Sequence, residues 1–192
     1  MSYQTEILLV SPSYLKRTTY ISNTIDDDMV TTAVIVAQDK YLIPVLGTDL
    51  YLKVRTLIST SAITGTEYET LLEEYLQKVV AWWSMVELLS ALHVRHDGSN
   101  VVVRTAENSQ VISTSDLHRE VERSRQTAEM YTDRLVKHLR YNWDSKYPEY
   151  HTNTEDDIHP VKKVYGQSGM TFSQGRSYRS GIKHIIYPPS YG

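Results

Sequence analysis

The longest apolar pattern in the chain predicts a central helix over residues 66–93. Its apolar residues recur at three- and four-residue steps and form a face so wide that it needs cover on more than one side. Thr66 and Glu69 have the spacing of a capping box, which places the helix start. Because adjacent helical residues point about 100° apart, Trp82 and Trp83 are predicted to pack into the core on two faces rather than to form one stacking platform.

The most regular pattern predicts a long last helix over residues 115–143. Its apolar stripe is narrow and includes Leu135, which we assign to the core. The flanks of the stripe are charged, as expected of a long helix that packs on one neighbour or on another copy of the chain. The predicted subunit interface consists of charged residues on these flanks: Arg119, Glu122, Arg125, Glu129 and Arg134.

Shorter elements are predicted nearer the N-terminus. Residues 7–10 form an apolar run that is either a strand or an anchoring segment. A helix is predicted to begin at Thr24, with three aspartates in its first turn, and to end at Pro44 and Gly47. The spacing of its apolar residues predicts a buried face made of Ile25, Met29, Ala33, Val36, Ala37 and Tyr41. Another helix is predicted over residues 48–58.

The remaining patterns complete a mainly α fold. Two short Val-rich runs predict a small β-hairpin excursion near residues 94–113, with strands at 101–103 and 111–112. We therefore predict a helical bundle with a long central helix and a long last helix. The helical body is expected to cover residues 1–150, and residues 151–192 are expected to form an extended C-terminal arm that is basic and aromatic.

Charge is distributed unevenly along the chain. The 20 Lys and Arg residues and the 23 Asp and Glu residues give a net charge of −3. All 23 acids lie in residues 1–160 together with 15 of the cations, so this part has a net charge of −8. Residues 161–192 carry the other five cations and no acid. The chain thus combines an acidic body with a basic arm.

The basic arm has the composition of a docking segment. Glycines and prolines interrupt every run in residues 161–192, so this part cannot form a core of its own. Its aromatic side chains offer contact surface of the kind that interfaces use, whereas the plainer interpretation is a disordered, dispensable terminus. The residues predicted to dock are Lys162, Lys163, Tyr165, Phe172, Arg176, Tyr178, Arg179, Lys183 and Tyr187. The stretch QGRSYRSG also resembles Arg/Gly/aromatic segments that bind single-stranded nucleic acid.

Composition and motifs argue against a catalytic site. The chain has no cysteine, which excludes disulfides and thiolate metal sites, and it has no GxSxG, HExxH, P-loop or GxGxxG motif. His93, His96 and Asp97 could supply metal ligands, but nothing nearby in the sequence completes the set, and a helix C-terminus also favours histidine. We predict no enzyme activity, no cofactor and no metal. No apolar run reaches the roughly 18 residues that a membrane span needs, so no membrane partner is expected.

Three stretches of the chain resemble a protein family. They are residues 7–51, which contain LIPVLGTDLY, the central helix with its two tryptophans, and the end of the last helix, RLVKHLRYNWDSKYPEY. In this order they are similar to the head–tail connector proteins of tailed bacteriophages, also called adaptor or ring proteins. The resemblance is greatest to those of phages of Bacteroidetes, including the crAss-like group, and it covers about residues 7–150.

This resemblance implies a structural virion protein. Such adaptors are helical bundles that form a ring, commonly of twelve copies, below the portal protein of the capsid. They extend the DNA channel, let genomic DNA pass without specific binding, and present a surface to the next tail or ring protein. The resemblance also implies synthesis in the host cytoplasm, a final location at the head–tail junction, and an arm that docks on the portal or on neighbouring subunits.

The charge of the body agrees with a DNA channel, because an acidic wall repels phosphates whereas a basic wall binds DNA tightly. The alternative function is that of a nucleic-acid-binding accessory protein that uses the basic arm.

Overall fold

The computed structural model of the chain describes residues 6–97, 100–103, 114–152, 154 and 158–160. Over these residues the protein is a helical bundle, which confirms the predicted mainly α fold. The described α-helices are α1 Pro12–Thr18, α2 Asp27–Ala37, α3 Ile43–Leu46, α4 Thr48–Ser59, α5 Glu67–Leu71, α6 Gln77–His93 and α7 Thr114–Asn142. π-Helical turns lie at Gln38–Leu42 and Leu72–Leu76, and a 3₁₀ turn covers Pro148–Tyr150.

The N-terminal segment is anchored by one buried side chain. The amide oxygen of Gln38 accepts a hydrogen bond from the backbone N–H of Leu9 at 2.7 Å, and its Nε2 donates to the carbonyl of Ile7 at 3.2 Å. Gln38 is 1% exposed, and these bonds satisfy its buried polar atoms. Residues 7–10 are therefore an anchoring segment rather than a strand. α1 follows, with Ser11 as its N-cap.

α2 differs from the prediction in its start and in its buried face. It begins at Asp27 rather than at Thr24, because the carboxylate of Asp26 is the N-cap and accepts a hydrogen bond from the second residue of the helix at 3.2 Å. Met29 and Val36, both predicted to be buried, are 38% and 37% exposed. The residues that are buried in α2 are Val30, Ala33, Val34 and Ala37. These small or β-branched side chains let α2 pack closely on α6.

The helix that contains α2 continues past Pro44, which was expected to end it. The π-helical turn Gln38–Leu42 shifts the hydrogen-bond register just before this residue, which has no N–H to donate and needs space for its ring. Among the described residues, one run, Asp27–Leu46, is long and apolar enough by length and composition to cross a membrane. Its buried face packs on α6 within the bundle.

The central helix has the predicted extent, but the cap of its first turn differs from the predicted capping box. α5, the π-helical turn Leu72–Leu76 and α6 form one helical run over residues 67–93. The Thr66 hydroxyl does not cap this run and instead donates to the carbonyl of Ile63 at 2.6 Å. Glu69 accepts a hydrogen bond from the N–H of Gly65 at 2.8 Å. Only the glutamate half of the capping box forms, and it reaches one residue further back than expected.

α6 lies at the centre of the bundle and packs on both α2 and α7. Trp83 contacts Thr132 while Tyr75 stacks on His138, so residues early in the central helix meet residues late in α7 and the two run antiparallel. Trp83 and Leu135 are buried in the core, as predicted. Trp82 is half-buried, and the ring of the exposed Tyr20 lies edge-on against it at 5.8 Å between centroids.

Two short strands follow α6. β1, Val94–Asp97, pairs antiparallel with β2, Asn100–Val103, in a register that aligns Val94 with Val103. β1 lies at the start of the predicted β-hairpin excursion, at residues for which no strand was predicted. The other predicted strand, at 111–112, lies outside the described residues. The same is true of the side chains of the metal-ligand candidates His93, His96 and Asp97.

After α7 the chain returns to the start of α4. The 3₁₀ turn Pro148–Tyr150 packs on α4, and Tyr147 and Tyr150 are buried. Beyond this turn, Thr154 and Ile158 donate hydrogen bonds to side chains at the first turn of α4. Contacts with the start of α4 therefore continue to Pro160, and the predicted boundary at residue 150 stays a prediction. Residues 161–192, which include every predicted docking residue of the arm, lie outside the described residues.

Candidate assembly surface

An open groove of about 560 Å³, the α6–α7 groove, lies between the central helix and the N-terminal half of α7. Tyr41, Trp83 and Val86 line one side of it, and His118, Val121, Glu122 and Arg125 line the other. No residue from 115 to 123 is buried, although Ser124 and Ala128 further along α7 are. The first turns of α7 are therefore only partly covered by the rest of the described chain.

Stacking and hydrogen bonds hold the Tyr41 and Trp83 rings at one side of the α6–α7 groove. The Tyr41 and Trp83 rings stack with 3.8 Å between centroids and 9° between planes. Trp83 is 2% exposed, and its Nε1 donates to the Thr132 hydroxyl at 3.0 Å. That hydroxyl in turn donates to the carbonyl of Ala128 at 2.8 Å. The tryptophan ring is thus fixed by stacking on one element and by a hydrogen bond to another.

A charged cluster holds Tyr41 in place beside the groove. The Glu87 carboxylate accepts hydrogen bonds from Lys40 Nζ at 2.8 Å and from the Tyr41 hydroxyl at 2.6 Å. Burial acts to raise the pKa of Glu87, but the hydrogen bonds from Lys40 and Tyr41 outweigh it and lower the pKa. Burial and the hydrogen bond to Glu87 raise the pKa of Tyr41, and the hydrogen bond to Glu87 raises that of Lys40. The cluster therefore stays a Lys⁺–carboxylate pair with a neutral tyrosine near neutral pH.

The five predicted interface residues divide between two faces of α7. Glu122 and Arg125 line the groove, and Arg125 Nε donates to Glu129 one turn later at 3.1 Å. Arg134 follows Arg125 by about two and a half helical turns, so the two point to opposite sides of α7. Arg119 pairs with Asp116 at 3.3 Å and is not among the groove residues. Arg125 and Arg134 therefore lie on two separate charged faces of α7.

A second polar cluster ties the end of α7 to the elements before it. The Tyr68 hydroxyl donates to Glu149 at 2.6 Å, and burial, together with this bond, raises the pKa of Tyr68. Lys53 Nζ lies 3.8 Å from the same carboxylate. Lys146 Nζ donates to Glu67 at 2.7 Å. The YPEY stretch, which carries Glu149, thus links the C-terminal end of the body to α4 and α5.

His138 lies in the middle of this cluster in its neutral form. Its ring stacks on Tyr75 at 4.1 Å between centroids, and its Nε2 lies 3.2 Å from the Tyr147 hydroxyl. That hydroxyl donates to the carbonyl of Glu67, so Nε2 carries the proton that bonds to Tyr147. Nδ1 then accepts from Asn142 Nδ2 at 3.3 Å. Burial, followed by the charge of Lys146, lowers the pKa of His138.

The residues of both polar clusters were not predicted from the sequence as site residues. Their partners lie far apart in the chain, as in the pairs Tyr41–Glu87 and Tyr68–Glu149, and single-sequence periodicity does not connect them. Within the described part of the chain, no group of three or more His, Asp or Glu side chains is placed to hold a metal ion.

Residues 42–159 match the model of a protein family described as a family of unknown function (DUF6712). This match covers more than half of the chain. The chain belongs to the DUF6712 family. No curated protein and no solved structure matches it. The DUF6712 region begins at Leu42 in the first π-helical turn, so α1 and α2 precede it. It contains all of the α6–α7 groove except Tyr41, and it ends beside the start of α4.

Proposed function

We propose that this DUF6712 protein is a structural subunit of the head–tail connector of a tailed bacteriophage. In this role it forms a homo-oligomeric ring below the portal protein, joins the capsid to the tail and extends the DNA channel. The observation that carries an assembly role is that the described part of the chain only partly covers the first turns of α7, residues 115–123, which form part of one wall of an open groove. The resemblance to adaptor proteins supplies the kind of assembly.

Partial coverage of α7 favours a protein partner over a small ligand. A surface helix of a monomer normally buries its apolar stripe along its whole length. In α7 most of the stripe residues from Ser124 onward are buried, whereas Leu117 and Val121 before it are only half-buried. A neighbouring subunit packed in the α6–α7 groove would cover both residues and the half-buried Tyr41 beside them.

The two charged faces of α7 suit a closed ring. In a cyclic ring each subunit contacts its two neighbours through two different surfaces, so the interface is heterologous. Arg125 lies on the groove face and Arg134 on the opposite face, so each is positioned to meet a different neighbour. The net charge of −8 over residues 1–160 also suits a channel wall from which DNA phosphates are repelled.

The test is co-sedimentation with portal rings of the virus that encodes the chain, followed by electron microscopy of the sedimented particles. The wild-type protein should sediment with the portal and add a ring of density to it. Arg125→Glu and Arg134→Glu, tested singly, should each weaken this association because every interface in the ring carries the change. Each variant should melt within about 2 °C of wild type, since one intrahelical pair contributes only a few tenths of a kcal/mol.

Arg17→Glu is the matched control, because it makes the same change in net charge on an exposed residue of α1. It should leave the association unchanged. If both α7 variants associate like wild type, α7 is not the subunit interface. If the full chain ignores the portal and instead binds single-stranded DNA with strong salt dependence, the nucleic-acid-binding alternative replaces the connector.

A further inference from the structure

The first turn of α4 holds a second segment of the same chain. The Thr48 N–H, at the start of the helix, donates to the carbonyl of Ile158 at 3.1 Å. The Ile158 N–H donates back to the Thr48 hydroxyl at 3.1 Å. One residue of α4 thus exchanges two hydrogen bonds with one residue of the segment. This fixes the local direction of the segment and satisfies a helix N–H that has no partner within α4.

The next residue of α4 recognises a hydroxyl side chain. Asp49 Oδ2 accepts hydrogen bonds from the backbone N–H of Thr154 at 2.9 Å and from its hydroxyl at 3.0 Å. A carboxylate in the first turn of a helix is favoured by the helix dipole, so Asp49 is well placed as an acceptor. A serine or threonine at position 154 is therefore specified by the site, whereas an alanine could make only the backbone bond.

Gly47 makes room for the end of the segment. Its φ is +76°, and a Cβ atom at this position would lie 2.7 Å from Pro160 Cδ, 2.8 Å from Pro160 Cγ and 3.2 Å from the carbonyl oxygen of Ile158. Any side chain here would push Pro160 away. The glycine in the LIPVLGTDLY stretch thus serves the docked segment as well as the turn between α3 and α4.

We infer that Gly47, Thr48 and Asp49 form a docking site for a peptide segment with threonine, isoleucine and proline at the spacing of Thr154, Ile158 and Pro160, and that the chain's own segment occupies it. We name this the α4 docking site. Its role is to fix the point on the body from which residues 161–192 continue. Ile158 and Pro160 are only partly buried and His159 is exposed, so polar contacts rather than core burial hold the segment.

Such a contact can open without unfolding the bundle, since segments with little apolar burial have low local stability. The contacts at the α4 docking site can therefore break while the core stays folded. The inference does not depend on the proposed connector function, because it concerns contacts within one chain.

Hydrogen exchange of the full-length protein, followed by mass spectrometry of peptides that cover residues 151–160, tests the site. Gly47→Ala should speed exchange in these peptides by at least about tenfold, the factor that corresponds to loss of one or two hydrogen bonds. Gly65→Ala is the matched control: Gly65 has nearly the same φ, +77°, but nothing lies within 4 Å of its would-be Cβ. It shares the positive φ and should leave exchange in residues 151–160 unchanged.

A second pair of variants covers the case in which Gly47→Ala does not fold. Thr48→Val removes the hydroxyl that accepts from Ile158 and should speed exchange of that amide, whereas Thr56→Val, on the same helix, removes a hydroxyl that bonds only to the carbonyl of Leu52. Thr56→Val should have no effect on residues 151–160. Equal acceleration by both glycine variants, or no acceleration by Thr48→Val, would overturn the docking site. The assay needs no portal, so it stands apart from any failure of the connector proposal.

Discussion

The contact between Trp83 and Thr132 should be the costliest side-chain pair to break in the bundle. Trp83 is almost fully buried and stacks on Tyr41, so Trp83→Ala should lower the free energy of unfolding by about 3–5 kcal/mol. Trp82 is only half-buried, so Trp82→Ala should cost clearly less. Equilibrium unfolding in urea, followed by far-UV circular dichroism, measures both values.

The hydrogen bond between the two residues allows a sharper test. Thr132→Val removes the acceptor of the hydrogen bond from the buried indole N–H of Trp83, which should cost about 1–3 kcal/mol. Trp83→Phe removes the donor, but the Thr132 hydroxyl keeps its bond to the Ala128 carbonyl. In the Trp83→Phe background there is no indole N–H to lose its acceptor, so Thr132→Val should cost much less. The double-mutant cycle should give a coupling of about 1–2 kcal/mol.

A control cycle pairs Thr132→Val with Ser124→Ala. Ser124 is also buried on α7, but it lies about 12 Å from Thr132 along the helix, so these two changes should add. Coupling below about 0.5 kcal/mol between Trp83 and Thr132 would show that the hydrogen bond contributes nothing specific. A larger cost for Trp82→Ala than for Trp83→Ala would show that the core is centred elsewhere.

Three further predictions follow from the polar clusters and the C-terminal segment. Because the pKa of His138 is lowered in the folded state, the free energy of unfolding should decline as the pH falls below 6.5, the ordinary pKa of histidine. Urea unfolding between pH 5 and 7 should show this slope in wild type and not in His138→Phe. The pKa of Glu87 is lowered too, so the stability that its ionised form contributes should be present above pH 4.5, its ordinary pKa, and lost as the pH falls further. The difference in free energy of unfolding between wild type and Glu87→Gln should therefore be smaller at pH 3 than at pH 7, and an equal difference at both would contradict this. A chain that ends at Pro160 should melt like the full-length protein by circular dichroism, whereas one that ends at Tyr150 should melt earlier because it lacks the bonds to Thr48 and Asp49; equal melting of both would contradict this.

The helical elements could be predicted because their apolar periodicity is strong. The central helix and α7 agree with their predicted ranges to within a residue or so, and the long apolar stripe of each is what makes them predictable. The start of α2 was wrong because three consecutive aspartates offer competing caps. Its buried face was wrong because packing on α6, rather than the pattern alone, decides which side is covered. Both are tertiary effects that a single sequence does not specify.

The candidate sites were less predictable for a related reason. The π-helical turn Gln38–Leu42 shifts the helical phase, so Tyr41 and Pro44 lie where an α-helical pattern does not place them. The interface residues of α7 stay a prediction: they were placed on both flanks of the apolar stripe, and Arg125 and Arg134 are about half a turn out of phase. The α4 docking site joins residues more than a hundred positions apart, and only the glycine of LIPVLGTDLY gave a local signal.

The docking of Ile158 on Thr48 has a consequence for how the family's domain accepts additions. Leu42 and His159 mark the ends of the DUF6712 region, and each lies within about two helical turns of this contact. The domain thus begins and ends at one place, the arrangement that tolerates insertion into other proteins and circular permutation. Extra segments before residue 42 or after residue 159 are joined to the body at the same spot. A lengthened or exchanged extension after residue 159 would therefore leave the α6–α7 groove untouched, whereas the residues before 42 include Tyr41, which lines that groove.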